Sequence, residues 1–392
     1  MILSTLFYFT FILFSLGQLG RISFFGQQLN IYLYEGLLIL ILFISLVRFK
    51  LLRLKENFKE FFVVYVFLFY LFISFLIGAA DYKPFENFIG FLYFVRLTLY
   101  WIYWIYLIYW INKHKNNKKI LEKSLLILII LTAIYSIIQY FFYPDLRNLI
   151  YAGWDPHLYR LFGTFFDTSV AGAIYGLIFF ALYLRGMDLV KNRWLLIALL
   201  SVNFILVVLT FSRSLYLAFI TCLVLHSILK KFWKRMVIFL VVFTFLLLVV
   251  PKPFGEGVNL GRMFSVRSRL DDYRAAIKIW RRSPLLGIGY NRIRYEKIRI
   301  NIIEGFGSDL THSGASFHSS FSIILVTGGV IGLVLFIFVL LRLSMINEFS
   351  RYLVIFLSLM SLSDNILLHP FIIFLFLSLT ALYRVSPSRK SI

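Results

Sequence analysis

Three side chains beside the apolar segments of this sequence could act on a negatively charged group. Arg213 lies in a very short turn between two apolar runs, and His318 opens a later apolar run. Arg269 lies between them, in the long polar stretch 251–317. Arginine forks bind phosphate oxygens and stabilise charge that develops on them, and histidine can take a proton from a hydroxyl near neutral pH. These residue types suit a transfer reaction with an anionic leaving group.

Arg269 occupies a position that neither helix packing nor helix electrostatics favours. The run from Ser268 to Asp271 has the pattern of a capping box, and Pro284 ends the predicted helix at about Arg282. Arg269 then lies in the first helical turn, where a cation opposes the helix dipole, and it shares the apolar stripe. That stripe consists of Leu270, Tyr273, Ala276, Ile277 and Trp280. A functional arginine and one that lays its stem on the membrane surface are both open interpretations.

Arg213 and His318 also have structural interpretations. A single arginine at the end of an apolar run is commonly an interfacial anchor, and a single histidine is more often structural than catalytic. Both residues are nevertheless expected at one membrane level, where the stretch 251–317 returns to an apolar run. This shared level makes a common site with Arg269 a testable hypothesis.

Two further arginines are candidates for substrate binding. Arg96 lies about 12 Å inside an apolar run, where a charge is costly and usually faces a cavity or a partner. Glu35 is the candidate partner. Arg96 therefore has two alternative interpretations, a structural ion pair and the lining of a lipid-diphosphate site. Arg274 lies with Lys278 and Arg281 on a flank of the predicted helix, which indicates a solvated or phosphate-facing surface.

The composition excludes a soluble globular protein. Hydrophobic residues make up 61% of the chain, and its mean hydropathy is +0.86. The net charge of +22 could suggest nucleic acid as a partner, but most basic residues lie in short connections between apolar runs, where they set membrane topology. No nucleic acid, metal or cofactor is expected, because the sequence shows neither a metal cluster nor a nucleotide-binding glycine motif. A single cysteine, Cys222, excludes a disulfide within the chain.

Continuous apolar runs predict an all-α integral membrane protein with about 12 transmembrane helices. The spans are expected at about residues 2–19, 29–47, 61–79, 88–111, 125–143, 167–184, 194–210, 213–229, 236–250, 318–341, 352–364 and 367–384. The last two are short and joined by Asp364 and Asn365, so a re-entrant pair is an alternative there. The chain would then divide into spans one to nine (1–250), a long and partly helical external loop (251–317), and spans ten to twelve with the tail (318–392).

The basic residues predict the orientation. Connections after the even-numbered spans, together with the tail, contain 22 Lys or Arg, whereas the opposite short connections contain five. The positive-inside rule therefore places both termini in the cytoplasm and the stretch 251–317 outside. The 12 basic residues of that stretch do not conflict with this orientation, because long loops escape the rule.

Four short motifs follow one another along the chain, all on the predicted outer side or at its edge. They are Tyr-Arg-Leu-Phe-Gly-Thr-Phe (159–165), Thr-Phe-Ser-Arg-Ser (210–214), Arg269 with Tyr273 and Pro-Leu-Leu-Gly-Ile-Gly (284–289), and His-Ser-Ser-Phe (318–321) with Gly-Gly-Val-Ile-Gly (328–332). In these motifs the chain resembles the bacterial O-antigen ligase and O-antigen polymerase family of polytopic membrane glycosyltransferases.

The resemblance implies transfer of a glycan from undecaprenyl diphosphate to an acceptor hydroxyl, by a metal-independent, inverting mechanism. It implies that Arg213 and Arg269 hold the diphosphate, that His318 is the base, and that Arg160 contacts donor or acceptor. The acceptor would be lipid A–core for a ligase and a second lipid-linked glycan for a polymerase. The protein would lie among the lipids of the bacterial inner (plasma) membrane, with its active face in the periplasm.

Two functions from other classes compete with this interpretation. The first is a transporter for lipid-linked oligosaccharides, although the sequence shows neither internal repeats nor matching broken helices. Lipid translocation without an acceptor-dependent product would favour it. The second is a non-catalytic membrane partner in an envelope assembly, which predicts that Arg269→Ala keeps full function.

Overall fold

The computed structural model describes residues 2–49, 58–250, 258–259, 261, 264–303 and 315–384 of the chain. Parts of the stretch 251–317 therefore lie outside the described residues, and so does the end of the tail. The described residues form one helical assembly in which the apolar helices share a continuous hydrophobic core. This assembly positions the side chains considered below.

The described residues contain fourteen α-helices. They are α1 (Ile2–Ser15), α2 (Leu33–Phe49), α3 (Phe58–Ile77), α4 (Pro84–Lys113), α5 (Lys115–Phe142), α6 (Thr168–Leu189), α7 (Arg193–Leu209), α8 (Arg213–Lys230), α9 (Trp233–Val249), α10 (Phe264–Trp280), α11 (Ile293–Arg299), α12 (Ser320–Ser344), α13 (Glu348–Ser361) and α14 (Pro370–Leu382). Each predicted apolar run coincides with one of these helices, and α10 and α11 belong to the predicted external loop.

Six helices are long and apolar enough to cross a membrane, namely α3, α4, α5, α6, α8 and α12. Helices α1, α2, α7 and α14 are apolar but shorter. The protein is therefore a multi-pass, helical membrane protein, whereas the count of twelve crossings stays a prediction.

A short β-hairpin interrupts the otherwise helical architecture. Strand β1 (Arg21–Phe24) pairs antiparallel with β2 (Leu29–Tyr32), so that Arg21 lies opposite Tyr32. The prediction of a helix over all of 29–47 is wrong at its start, because a short apolar run fits a strand as well as a helix. The hairpin brings Arg21 to the same side of the molecule as Tyr32 and the start of α2.

Helices α13 and α14 form a tight helical hairpin. Their open ends meet where the Asn347 side-chain amide donates to the Tyr383 carbonyl at 2.8 Å. They contain 14 and 13 residues, a rise of about 20 Å each, which is less than a hydrocarbon core of about 30 Å. This length favours the re-entrant alternative. The turn between them carries Asp364 and is held inside the protein, with Ile366 and Leu367 buried.

Helix α10 begins earlier than its capping pattern predicts. It starts at Phe264, so the prediction of a start at Ser268 is wrong and Arg269 lies in the second turn. The argument from the helix dipole therefore loses its force, because the dipole acts mainly within the first turn. The helix ends at Trp280, close to the predicted end before Pro284.

The buried face of α10 differs from the predicted apolar stripe. Ala275, Ala276 and Ile279 are buried and pack in one cluster with Ile323 and Val326 of α12. Of the predicted stripe, Ala276 is buried in this cluster and Trp280 packs against it, whereas Leu270, Tyr273 and Ile277 are exposed. The apolar side chains of α10 lie on two sides of the helix, so periodicity alone could not show which side faces α12.

The segment 284–289 docks on a break in α12. Gly329 has a φ of 65° and a ψ of −169°, which interrupts the helix. The backbone N–H groups of Ile288 and Gly289 donate to the carbonyls of Val326 and Thr327, both at 3.0 Å. The Val330 N–H also donates to the Pro284 carbonyl at 2.9 Å, so two of the motifs noted in the sequence are hydrogen-bonded to each other.

The glycine at this break is required by space as well as by conformation. A Cβ on Gly329 would lie 2.1 Å from the Leu285 carbonyl oxygen. From α3, the Tyr70 hydroxyl donates to the carbonyls of Leu285 at 3.0 Å and of Gly328 at 2.7 Å, and Ser74 donates to the carbonyl of Leu286 at 2.6 Å. Gly328 and Gly329 therefore form the point at which the segment 284–289 docks on α12.

Candidate active site

The turn between α7 and α8 presents Arg213 at the first residue of α8. Phe211 adopts a φ of 48° in this turn, a conformation that a bulky residue rarely adopts without support. Arg160 supplies that support: its Nε donates to the Thr210 carbonyl at 3.0 Å and its Nη2 to the Phe211 carbonyl at 3.1 Å. Arg160 is buried. The structure thus places Arg160 behind the Arg213 turn, and its geometry favours a positioning role over the expected contact with substrate.

Asp364 links this turn to the external helix α10. The Ser214 hydroxyl donates to Asp364 Oδ2 at 2.6 Å, and Arg269 Nη2 forms an ion pair with Asp364 Oδ1 at 3.0 Å. Arg213 lies close enough to be influenced by the charges of both Arg269 and Asp364. Arg269 thus pairs with this carboxylate while Arg213 lies near both, which leaves an excess of positive charge that an anionic group could neutralise.

His318 forms a second charged group beside this one. Its Nδ1 contacts Asp272 Oδ2, and its backbone N–H donates to the same oxygen at 3.0 Å. The hydrogen bond to Asp272 raises the pKa of His318, and the negative charges of Asp364 and Asp155 act in the same direction, against the effect of burial. With Nδ1 held by a carboxylate, Nε2 is the nitrogen that remains for a reacting group.

Lys297 completes the surroundings of Asp272. Its Nζ lies 3.6 Å from Asp272 Oδ1 and donates to the Ser316 carbonyl at 2.6 Å. Burial acts to raise the pKa of Asp272, but the hydrogen bond to His318 and the charge of Lys297 outweigh it and lower that pKa. Asp272 is therefore an anion at neutral pH, held between one cation and one imidazole.

Arg269 and His318 are neighbours in the structure. Both line a small cleft together with Asp272 and Ser319, because Arg269 and Asp272 lie three residues apart on α10. The Ser319 hydroxyl caps α12 by accepting from the Ser322 N–H at 3.4 Å. Helix α10 thus brings one arginine to Asp364 and one carboxylate to the histidine, as the hypothesis of a common site requires.

A cavity of about 420 Å³ opens beside these groups. Its lining includes the acidic and titratable side chains of His318, Asp364 and Asp167 as well as Arg21 and Arg294. This volume lies in the range of small-molecule sites. The cavity is the space in which a substrate could meet His318.

Arg96 reaches this cavity as one member of a buried ion pair. Its Nε and Nη2 contact the two carboxylate oxygens of Glu35 at 2.6 and 2.9 Å, which confirms Glu35 as its partner. Tyr100 also donates to Glu35, and the Arg96 guanidinium lies 5.1 Å from the centre of the Tyr32 ring. Arg96 lines the cavity as well, so pairing and lining are both present at this residue.

Arg274 lies away from these groups. Its side chain is 79% exposed and pairs with Asp271 at 3.0 Å on the outer side of α10. The Arg274 side chain does not point to the cavity, and Arg274 does not belong to the site around His318.

Two carboxylates of the site, Asp364 and Asp272, were not among the predicted site residues. Asp364 could have been noticed, since it is an acidic residue in the short turn between two apolar runs on the predicted outer side. Asp272 carried no such signal, because its contact with His318 depends on which face α10 turns toward α12. Among the described residues, no group of three or more His, Cys, Asp or Glu could hold a metal ion.

The comparison with known protein families supports the resemblance that the sequence motifs indicate. Residues 196–337 match the family model described as O-antigen ligase. A search among curated proteins found no match to the chain. The matched stretch contains Arg213, Arg269 and His318, whereas Asp364 lies beyond it. Residues 196–337 of this chain therefore resemble the O-antigen ligase family, and three of the four motifs lie within this stretch.

Proposed function

We propose that this protein is a membrane glycosyltransferase of the O-antigen ligase type. It moves a glycan from undecaprenyl diphosphate to an acceptor hydroxyl on the external face of the membrane that it spans. One observation carries the proposal: Arg269 pairs with Asp364 and Arg213 lies near both, beside His318, which contacts Asp272 and lines a cavity. The family match supports the reaction class. On this proposal both termini are cytoplasmic and the cavity faces the periplasm.

The donor diphosphate would bind at Arg213 and Arg269. The guanidinium of Arg269 uses one nitrogen for Asp364, which leaves other N–H groups of its fork for phosphate oxygens. When the bond between the anomeric carbon and the diphosphate oxygen breaks, the bonding electrons leave with the diphosphate. The two arginines stabilise the negative charge that grows there, an effect that is strong in a site shielded from water.

His318 would act as the general base. Its Nε2 takes the proton from the acceptor hydroxyl as the hydroxyl oxygen attacks the anomeric carbon from the side opposite the leaving group. This single displacement inverts the configuration at that carbon. Asp272 keeps the imidazole oriented and stabilises the imidazolium that forms, and the reaction requires no metal in this scheme.

Reconstitution separates this proposal from a transport function. Purified protein in liposomes with an undecaprenyl-diphosphate-linked glycan and lipid A–core should form the joined product in the presence of EDTA. Translocation of the donor without any acceptor-dependent product would overturn the proposal in favour of a transporter. A product that forms only after metal is added would contradict the metal-independent mechanism.

A deletion strain distinguishes ligase from polymerase. Loss of all glycan caps on lipid A–core identifies the ligase, the assignment made here. Caps that stop at a single repeat unit would instead identify a polymerase that uses a second lipid-linked glycan as acceptor.

A further inference from the structure

The cavity beside His318 has two halves of opposite charge. Asp155 and Asp364 both influence His318, and the same two carboxylates also influence Asp167. Burial, reinforced by those two carboxylates, raises the pKa of Asp167 to about 6. These acidic residues and His318 line the cavity together and form its acidic half.

The other half is basic and is arranged around Tyr93. This tyrosine influences Arg21, Arg96 and Arg294, which come from β1, α4 and α11. All four side chains line the cavity. Glu35 pairs with Arg96, and Arg21 and Arg294 add two further cationic side chains to the lining of this half.

The basic half also offers groups that fit a sugar. The guanidinium of Arg21 lies 5.0 Å from the centre of the Trp154 ring, and Trp154 lines the same cavity. Tyr295 donates to the Gln28 amide oxygen at 3.1 Å, so the side chains of both residues are held in place. Aromatic faces and amides that converge with arginines bind ring-shaped polar ligands by packing on one face and hydrogen bonding at the edges.

The positive charge of the basic half orients a ligand in the cavity. A carboxylate or phosphate group is drawn to Arg21 and Arg294. A hydroxyl group on the same ligand can then reach His318. Because His318 receives the proton of the acceptor hydroxyl in the proposed function, the ligand oriented in this way is the acceptor.

From this arrangement we propose that Arg21 and Arg294 form an acceptor subsite for a sugar that carries a carboxylate or phosphate group. The inference rests on the proposed function for the identity of the ligand as acceptor, but the subsite can be measured as binding alone. It is separate from the diphosphate site, which belongs to Arg213 and Arg269.

Binding of simple sugars to the purified full-length protein tests the subsite. The probes are glucuronic acid for the carboxylate, glucose 6-phosphate for the phosphate, and glucose as the neutral reference, followed by saturation-transfer NMR. At least one charged probe should bind about tenfold more tightly than glucose, since a charge-assisted hydrogen bond contributes about this factor. The charged probe that binds more tightly identifies the substituent, and equal affinity of all three probes would overturn the proposal.

Matched variants assign the preference to the basic half. Arg21→Gln and Arg294→Gln should each remove most of the preference for the charged sugar. Arg147→Gln is the control, because Arg147 belongs to the predicted outer side and its exposed side chain pairs with Asp145 at 2.7 Å. Arg294 is buried, and if its variant does not fold, Arg21→Gln decides the matter. A preference that survives in Arg21→Gln would overturn the proposal.

Two further variants distinguish failure of the subsite from failure of the proposed function. His318→Ala should abolish transfer but keep the preference for the charged sugar. Arg269→Gln should weaken binding of inorganic pyrophosphate and leave the sugar preference unchanged. If Arg21→Gln weakens pyrophosphate binding and Arg269→Gln does not, the basic half is the diphosphate site and the acceptor assignment is wrong.

Discussion

At the residue scale, the contact between His318 and Asp272 predicts a pH dependence. His318 must be neutral to accept a proton, and its pKa is raised above 6.5, mainly by the hydrogen bond to Asp272 and further by Asp364 and Asp155. The value of kcat/KM should therefore fall as the pH drops below this raised pKa. Asp272→Asn removes the negative charge, so the acid limb of the profile should move to lower pH and the plateau should fall about tenfold or more.

Asp271→Asn is the matched control for that profile. Asp271 is the neighbouring carboxylate, but its side chain is 67% exposed and pairs with Arg274. Its variant should keep the wild-type profile. An acid limb that stays in place in Asp272→Asn would show that this carboxylate does not set the pKa of the catalytic base.

Residue types and order were sufficient to select Arg213, Arg269 and His318, but not the carboxylates between them. Arginine and histidine are costly in an apolar sequence, so the few that occur there stand out as functional candidates. The role of a carboxylate that pairs with a cation can be recognised only when the structure shows that the two side chains are in contact. Asp364 meets Arg269 from a position 95 residues away in the chain, a contact that no local pattern encodes.

At the element scale, the break in α12 should be essential for docking of the external segment. Gly329→Ala places a Cβ against the Leu285 carbonyl and a side chain at positive φ. The variant should lose at least about 2 kcal/mol of stability, measured by thermal unfolding in detergent. It should also expose the bonds after Arg281 and Arg282 to trypsin.

Gly36→Ala is the control for this glycine. No atom lies within 4 Å of the position that its Cβ would occupy, and Gly36 lies in the helix α2. Alanine should be neutral or slightly stabilising there. Equal stability of the two variants would show that the break in α12 does not require glycine at position 329.

The Arg160 fork gives a second prediction at this scale. Lysine cannot donate to the Thr210 and Phe211 carbonyls in the same geometry. Arg160→Lys should therefore lower kcat and the unfolding temperature together, because the turn that carries Arg213 loosens. A rise in KM with unchanged thermal stability would instead favour the contact with substrate that the family resemblance implies.

Secondary structure was largely predictable, and the faces of the elements were not. Long apolar runs indicate helices directly, because lipid leaves the backbone few alternatives. In α10 the residues Ala275, Ala276 and Ile279 are buried in one cluster with α12, and Trp280 packs against that cluster. Small alanines permit this close approach, whereas the larger Leu270 and Ile277 are exposed. The apolar periodicity therefore identifies the buried face only in part, at Ala276 and Trp280.

At the scale of the whole molecule, the orientation in the membrane can be tested with single cysteines. Cys222 is fully buried, so the protein without added cysteine should give little labelling. Tyr151→Cys should react with a membrane-impermeant maleimide on intact spheroplasts, because Tyr151 is 80% exposed on the predicted outer side. Lys191→Cys should react only after permeabilisation. The reverse pattern would place the cavity on the cytoplasmic side and exclude a periplasmic reaction.

The molecule as a whole consists of a helical membrane scaffold and the segment between α9 and α12, whose described residues pack against the scaffold. The scaffold contributes Arg213 and Asp364, and helix α10 contributes Arg269 and Asp272. His318 lies where the segment rejoins the scaffold. The central claim is that these parts form one transferase site around His318.

The most direct test is turnover of purified His318→Ala with an undecaprenyl-diphosphate-linked glycan and lipid A–core, compared with wild type and with Asp271→Asn as control. Wild type and the control should form product at similar rates. His318→Ala should be slower by about 100-fold or more, the usual contribution of a general base. Full turnover in His318→Ala would show that His318 is not the base and that the site does not lie around it.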